Sequence, residues 1–397
     1  MKLAARAGRI VPSPTLSITA TAKAMLAQGL DVIDFASGEP DFDTPEPVKA
    51  AAEAAIRAGF TKYTASSGID ELRLAIADKL QAEQGLRYDK SQILVSCGAK
   101  HSLYNIAEAL LEAGDEVVIP SPFWVSYQDQ VLLNDATPVL LPTHEADGYA
   151  VHRRALEECL TPRTKAMIVN SPCNPTGATY DRAILEVIAE VALRHDLVII
   201  SDEIYEKILY DGARHISIAS LGPDVAARTV VINGVSKAYA MTGWRIGYAA
   251  GPKELITAMA NIQSQSTSNP CSISQKAAVA ALRGGDAFPR HMVVEFDRRR
   301  RLMVERLNKI PGVSCRMPAG AFYAFPNVAG VFGKRAAQGP ITAAAELADY
   351  LLKEALVAVV PGEPFGSAAH IRLTYATSTE AIVRGVDRMQ AALEKLA

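Results

Sequence analysis

Between residues 90 and 250 short apolar runs alternate with longer helical patterns, and this alternation constrains the fold more than any other feature. "QILVS" leads into the helix-like "KHSLYNIAEALLEAG" and then into "DEVVIP". "KAMIVN" precedes a helix through "RAILEVIAEVALRHD", followed by "LVIISD" and later by "RTVVING". Short Val- and Ile-rich runs without polar interruptions suit strands buried on both faces. Strands separated by helices of this length predict an α/β fold, a mostly parallel central sheet covered by helices.

The C-terminal third reads differently. A helix near 286–310 leads to "GVSCRMP" and "GAFYAFPNV", which look like paired strands. A helix near 341–354, the runs "ALVAVVPG" and "AHIRLTYA", and a last helix follow. In that last helix Ile382, Val386, Met389 and Leu393 form one apolar stripe. These elements predict a smaller α+β unit. The first 45 or so residues carry Pro12, Pro14, Pro40 and Pro45 and do not begin the sheet cleanly. They read as an arm or as part of the second unit.

At 397 residues the chain is too long for one ordinary core, so two domains are expected. A formal net charge of −2 leaves no electrostatic footprint for nucleic acid or a membrane surface. The one dense basic run, Arg298 to Arg301, lies in a helical pattern and reads as a solvated helix face. Five scattered cysteines without a CxxC pair suggest reduced thiols and a cytoplasmic address. No apolar stretch is long enough to span a bilayer, and the N-terminus lacks the apolar core of a secretory signal. No histidine spacing matches a metal motif, so no metal site is expected.

In an open α/β sheet ligands gather at the carboxyl ends of the strands. "ILVSCGAKHS" places Gly98, Ala99 and Lys100 at a helix start, where bare N–H groups and the dipole suit a phosphate. "VVIPSPFWVSY" offers Trp124 as a flat face, and "MIVNSPCNPTG" offers Asn174 in a turn. "VIISDEIYEKI" brings Asp202 and Tyr205, and "VVINGVSK" brings Lys237, with Arg245 eight residues on. Singly, each has a plain explanation: a helix start, core packing, turn chemistry, a cap, a snorkelling amine. Together they suit a phosphorylated, aromatic, carbonyl-bearing cofactor. A lysine amine can attack an aldehyde, a carboxylate can keep a pyridine nitrogen protonated, and an arginine fork can hold phosphate. Pyridoxal phosphate needs this set.

The segments "SGEPDFDTP", "NSPCNPTG", "SDEIYE", "SKAYAMTGWRIGY" and "HIRLTYA" closely resemble the class I aminotransferases, fold-type I pyridoxal-phosphate enzymes, in the branch holding bacterial aspartate aminotransferases. The resemblance implies that Lys237 is the Schiff-base lysine and proton shuttle. It implies that Asp202 pairs with the pyridine nitrogen, that Tyr205 and Asn174 hold the ring hydroxyl, and that Trp124 stacks on the ring. Gly98, Ala99, Lys100 and Arg245 would surround the phosphate. It also implies a homodimer with sites at the subunit interface, where Tyr63 reaches the partner's phosphate. Arg372, helped by the Gly38 backbone, would clamp the substrate α-carboxylate; by its residues alone Arg372 reads as half of a strand-edge charge pair. The implied domains are an arm and part of the small domain at 1–45, a large cofactor-binding domain at 46–285 and a small C-terminal domain at 286–397.

Within that branch Lys100, Ser13 and Thr15 are associated with a distal carboxylate, which favours L-aspartate as donor and 2-oxoglutarate as acceptor in ping-pong transamination. Lys100 has a second reading, neutralising phosphate charge. "TASSG" at 64–68 and Cys173 depart from the commonest wording and leave prephenate or aromatic substrates open. A β-lyase on the same cofactor is the rival reaction. A nicotinamide dehydrogenase lacks its G-x-G-x-x-G after any strand.

Overall fold

The computed structural model describes all residues except 1, 2, 11, 13, 337 and 338. Its centre is a seven-stranded sheet of β1 (Ile93–Ser96), β2 (Glu116–Ser121), β3 (Thr137–Pro142), β4 (Thr164–Asn170), β5 (Val198–Asp202), β6 (Thr229–Gly234) and β7 (Gly247–Ala250). The order across the sheet is β1-β7-β6-β5-β4-β2-β3. All neighbours run parallel except β7, which is antiparallel to both β1 and β6. The expected α/β fold with its mostly parallel sheet is therefore present.

Burial on both faces follows the two-residue period of a strand. Ile200, Val230 and Ile232 pack with Leu103, Ile106, Tyr127 and Met259 from the helices Ala99–Leu110, Ser126–Leu133 and Lys253–Ser266. Ile199 packs oppositely, with Leu185 and Ile188 of the helix Arg182–Arg194, and Val231 with Leu72 and Ile76 of Asp70–Gln84. Each fully buried Ile or Val contributes about 1.5–3 kcal/mol, which is why the runs tolerate no polar interruption.

A three-stranded antiparallel sheet, in the order Val360–Pro361, Ile371–Thr374, Tyr323–Ala324, packs beside the helices Ala287–Leu307 and Thr379–Leu393. Ile33–Asp34 pairs in parallel with Val357–Ala358, so the N-terminal segment joins these C-terminal elements. The apolar stripe of the last helix is buried as its spacing requires. The expected pairing of "GVSCRMP" with "GAFYAFPNV" reduces to one antiparallel bridge, Ser314 to Asn327; Tyr323–Ala324 pairs instead with Ile371–Thr374.

The basic run 298–301 is not a solvated face throughout. Arg300 has no exposed surface: its guanidinium meets Asp297 and Asp211, donates to the Pro318 carbonyl at 2.6 Å and lies 4.3 Å over the Tyr210 ring. Arg299 is also buried and holds both carboxylate oxygens of Asp41, at 2.8 and 2.9 Å. Four consecutive arginines cover more than one turn of helix, so some must face inward, and acidic partners from distant segments meet them there.

Candidate active site

The carboxyl ends of β1, β2, β4, β5 and β6 open onto a cavity of about 380 Å³, a size ordinary for small-molecule sites. Gly38, Ala99, Lys100, Trp124, Asn174, Asp202, Tyr205, Lys237, Arg245, Arg372 and Thr15 all line it. Gly98 lies directly behind Arg245. Ser13 falls outside the described residues. Tyr63 is not brought there: it is 93% exposed on this chain.

Direction in the sheet explains the arrival of Arg245. Because β7 is antiparallel, its first residue Gly247 pairs with Ser96 and Gly234 at the last residues of β1 and β6. Arg245 therefore stands at the same edge as Lys237. The junction admits no side chain at Gly247, where a Cβ would lie 2.1 Å from the Ala99 nitrogen. Gly98, at φ +90°, leaves room for the Arg245 guanidinium, since a Cβ there would lie 2.4 Å from Nη2. Arg245 donates to the carbonyls of Thr242 (2.9 Å) and Cys97 (3.3 Å) and has no carboxylate within ion-pair range among the described residues. Beside it the first N–H groups of the helix Ala99–Leu110 have no partner within that helix.

Asp202 ends β5 on the same face as Ile200, and so points toward the helix Ser126–Leu133. There Tyr127 Oη donates to Asp202 Oδ2 at 2.7 Å, and the Ile204 amide donates to Oδ1 at 3.2 Å. Burial pushes the Asp202 carboxyl up to about 6, although the Tyr127 hydrogen bond works in the opposite direction. Burial also brings the Lys237 ammonium down to about 8. At pH 8 about half of these amines are neutral, against roughly 0.3% for a lysine of ordinary pKa. Lys237 Nζ donates to the Gly38 carbonyl, so the segment carrying Gly38 sits directly over the amine.

Arg372 is 1% exposed and lies on the middle strand of the small sheet. It donates to Asn174 Oδ1 at 3.1 Å and to the Ala36 carbonyl at 2.7 Å. Its guanidinium lies between the Tyr323 ring (4.5 Å) and the Phe365 ring (5.1 Å), and its Nε has no hydrogen-bond partner. No carboxylate pairs with it among the described residues. The strand-edge charge pair that its residues alone implied is thus absent. A buried guanidinium without a counter-ion is costly, and an anionic ligand relieves that cost.

The remaining expected residues complete the walls. Tyr205 Oη and Tyr323 Oη are 2.8 Å apart, both buried. Lys100 Nζ lies 4.8 Å from the centre of the Trp124 ring, which meets Tyr127 edge-on at 5.4 Å. Burial first, then the Arg245 charge, lowers the Lys100 pKa. Asn170 positions Asn174 by accepting its amide at 3.0 Å and donating to the Asp202 carbonyl at 3.0 Å.

Tyr127, Tyr323, Asn170, Ser236 and Thr242 line the cavity without having been singled out in the sequence. Tyr127 lies three residues after Trp124, close to one helical turn on, and Asn170 is the last residue of its strand; those two were open to the same reasoning. Tyr323 was not, because its neighbours come from a pairing that the sequence does not reveal.

A lysine with a lowered pKa, a buried carboxylate and an unpaired buried arginine therefore share one cavity. The model of the family described as aminotransferase class I and II matches residues 30–389. The chain belongs to this family. It is 50% identical over 385 residues to an aspartate/prephenate aminotransferase of Cereibacter sphaeroides, covering 96% of each chain. The crystal structure of an aspartate aminotransferase from Rhizobium meliloti superposes with a TM-score of 0.96 at 48% identity over the whole of both chains. An aspartate aminotransferase from Thermus thermophilus, with maleate, gives 0.93 at 40% identity, covering 99% of this chain and 100% of that one.

Class I and II aminotransferases of this kind depend on pyridoxal phosphate, and the protein is a pyridoxal-phosphate-dependent aminotransferase. The site's chemistry fits that group. Arg245 without a carboxylate partner and an open helix N-terminus suit the phosphate. Asp202, buried and without a cation in ion-pair range among the described residues, suits a ring nitrogen that carries a proton.

Proposed function

We propose that the enzyme transfers the amino group of L-aspartate to 2-oxoglutarate, giving oxaloacetate and L-glutamate, by ping-pong transamination. The observation that carries this reading is the buried, unpaired Arg372 in one cavity with Lys237 and Lys100. An α-carboxylate satisfies Arg372 through two parallel hydrogen bonds. Lys100 Nζ and the Thr15 hydroxyl, which is buried without a partner, then suit a second carboxylate. The maleate of the Thermus structure is a dicarboxylate too. Ser13 joins them by resemblance.

When bound, pyridoxal phosphate supplies an electron sink that stabilises negative charge on the substrate Cα. Arg245, Gly98 and Ala99 would hold its phosphate with Lys100 beside it, and Tyr63 of a second copy would reach in across a homodimer interface. Trp124 would offer its flat face to the ring, while Tyr205 and Asn174 would bind the ring hydroxyl. The Asp202 carboxylate, fixed by Tyr127, would keep the ring nitrogen protonated. Arg372, helped by the Gly38 backbone, orients the substrate so that its Cα proton faces Lys237 Nζ. Lys237 takes that proton and later returns one, and acid–base help of this kind is worth about 10²–10⁴-fold.

Residues 46–285 are assigned to a large cofactor-binding domain, 286–397 to the small one, and 1–45 to an arm and part of the small domain. The Ile33–Asp34 pairing with Val357–Ala358 supports the last assignment. No helix among the described residues is long and apolar enough to cross a membrane. That fact and the five free cysteines support a cytoplasmic location. Prephenate is a second substrate reading, favoured by the name of the Cereibacter relative.

A half-reaction screen tests the proposal. Each amino acid is mixed with the purified holoenzyme, and the cofactor absorbance reports conversion to the pyridoxamine form. Aspartate and glutamate are expected to convert it fastest. Preference for an apolar or aromatic amino acid over both would overturn the dicarboxylate assignment.

A further inference from the structure

Tyr63 stands in a stretch, Phe60 to Ile69, that is neither helix nor strand, so no ladder of backbone hydrogen bonds shapes it. Side chains from two helices shape it instead. In the helix Ser272–Arg283, Gln275 has no exposed surface, although Ala277 and Ala278 just after it pack into an apolar cluster. Its Oε1 accepts the Ile69 amide at 2.8 Å, and its Nε2 donates to Thr64 Oγ1 at 3.2 Å and to the Pro270 carbonyl at 2.9 Å. Three residues earlier, on the same helix face, Ser272 Oγ donates to the Phe60 carbonyl at 2.9 Å. From the helix Lys253–Ser266, the equally buried Gln263 donates to the carbonyls of Ser66 at 2.7 Å and Val95 at 2.8 Å. The Val95 amide donates to the Ser67 carbonyl at 3.0 Å, which lays the end of the stretch along the outer edge of β1.

A buried amide is costly unless its donors and acceptor are matched, and an apolar side chain would fill the same space without that cost. Gln275 is matched by the stretch around Tyr63. The anchored residues Phe60 and Thr64 stand on either side of Tyr63, whereas no hydrogen bond or ring contact holds the Tyr63 side chain among the described residues. Its direction is therefore set by the backbone on either side. A side chain that must reach another copy gains from a backbone ordered beforehand, because less freedom is lost on contact. We propose that Gln275, with Ser272 beside it, is a positioning residue that aims the Tyr63 hydroxyl at the cofactor phosphate of a second copy. It then serves the partner's site and not the site of its own chain. This inference rests on the homodimer reading above and adds the residues that make Tyr63 effective there.

Hybrid dimers, made by co-expressing two differently tagged chains, separate the two sites. One chain carries Lys237→Ala, so borohydride fixes a pyridoxyl label only on the other chain, whose phosphate receives Tyr63 from the Lys237→Ala chain. The pyridoxal phosphate concentration that half-saturates the label is measured with Gln275→Met on one chain or the other. On the Lys237→Ala chain, Gln275→Met is expected to raise that concentration about three- to tenfold, part of what a hydrogen bond to a charged group contributes. On the labelled chain the change should stay within about twofold, which also shows that the variant folds and pairs. Pyridoxal, which has no phosphate, should half-saturate the label at one concentration in both placements. Equal weakening in both placements, weakening from the labelled chain alone, no change in either, or the same loss with pyridoxal overturns the proposal. Tyr63→Phe is run in the same way. If it has no effect from the Lys237→Ala chain, the homodimer reading falls and this inference with it. An effect of Tyr63→Phe without one of Gln275→Met overturns this inference alone. If Gln275→Met chains fail to assemble, Thr64→Val removes only the hydroxyl that Gln275 holds and takes their place, with about two- to threefold expected and the same results overturning the proposal.

Discussion

Removing one hydroxyl, in Tyr127→Phe, tests the electrostatics of the site. Asp202 is 3% exposed, and burial has raised its carboxyl to about 6 even with Tyr127 donating at 2.7 Å. A hydrogen bond to a charged group contributes about 1.5–3 kcal/mol, which corresponds to roughly one to two pKa units. Its loss moves Asp202 to about 7–8. At pH 7 the ionised fraction then falls from about nine in ten to between half and one in ten. Cofactor affinity for the apoprotein, followed by fluorescence across pH 5–10 in a Lys237→Ala background, reads this directly because the second titrating amine is gone. The Tyr127→Phe midpoint should move up by one to two units, with affinity at pH 7 lower by about two- to tenfold and the gap closing above pH 9. A midpoint that stays in place or moves down refutes the assigned role of this hydrogen bond.

Three further outcomes follow from the same geometry. Arg372→Lys keeps the charge but loses the fork and its place between Tyr323 and Phe365. It should lower kcat/KM for aspartate and 2-oxoglutarate alike by about 10- to 100-fold in steady-state assays, because both carry an α-carboxylate. Asp202 has its pKa raised by folding, so its contribution to stability is present below about pH 4 and is lost as pH rises through about 6. Asp202→Asn should therefore raise the apoprotein's melting temperature at pH 8, by an amount equivalent to roughly 3 kcal/mol, and leave it unchanged at pH 4, while abolishing turnover. Arg300→Ala empties a fully buried site and removes the Pro318 hydrogen bond and the Tyr210 contact, while the partly exposed Asp297 and Asp211 keep Arg301; it should cost about 2–4 kcal/mol in denaturant unfolding.

What was legible in the sequence followed from short-range physics. Val–Ile runs buried on both faces announced the sheet, and the first residues after each run announced Asp202, Asn174, Trp124 and Lys237. The direction of β7 was less visible, because the twelve residues between Gly234 and Gly247 carry no strong helical pattern and lie at the lower limit for a crossover. Arg299 and Arg300 were misread because their acids, Asp41 and Asp211, lie far along the chain. Tyr323 was passed over for a related reason: its partner strand, Ile371–Thr374, lies nearly fifty residues away in sequence, and local pattern carries no sign of it. Tyr63 stands apart: it is exposed on its own chain, and the role proposed for it needs a second copy.

Mapping the lysine joined to the cofactor tests the central claim most directly. The holoenzyme is reduced with borohydride and digested, and the peptides are sequenced by mass spectrometry. The account predicts a single pyridoxyl label, on Lys237 in "VINGVSKAYAMTGWR". A label on Lys100 or any other lysine, or none after incubation with pyridoxal phosphate, would contradict it.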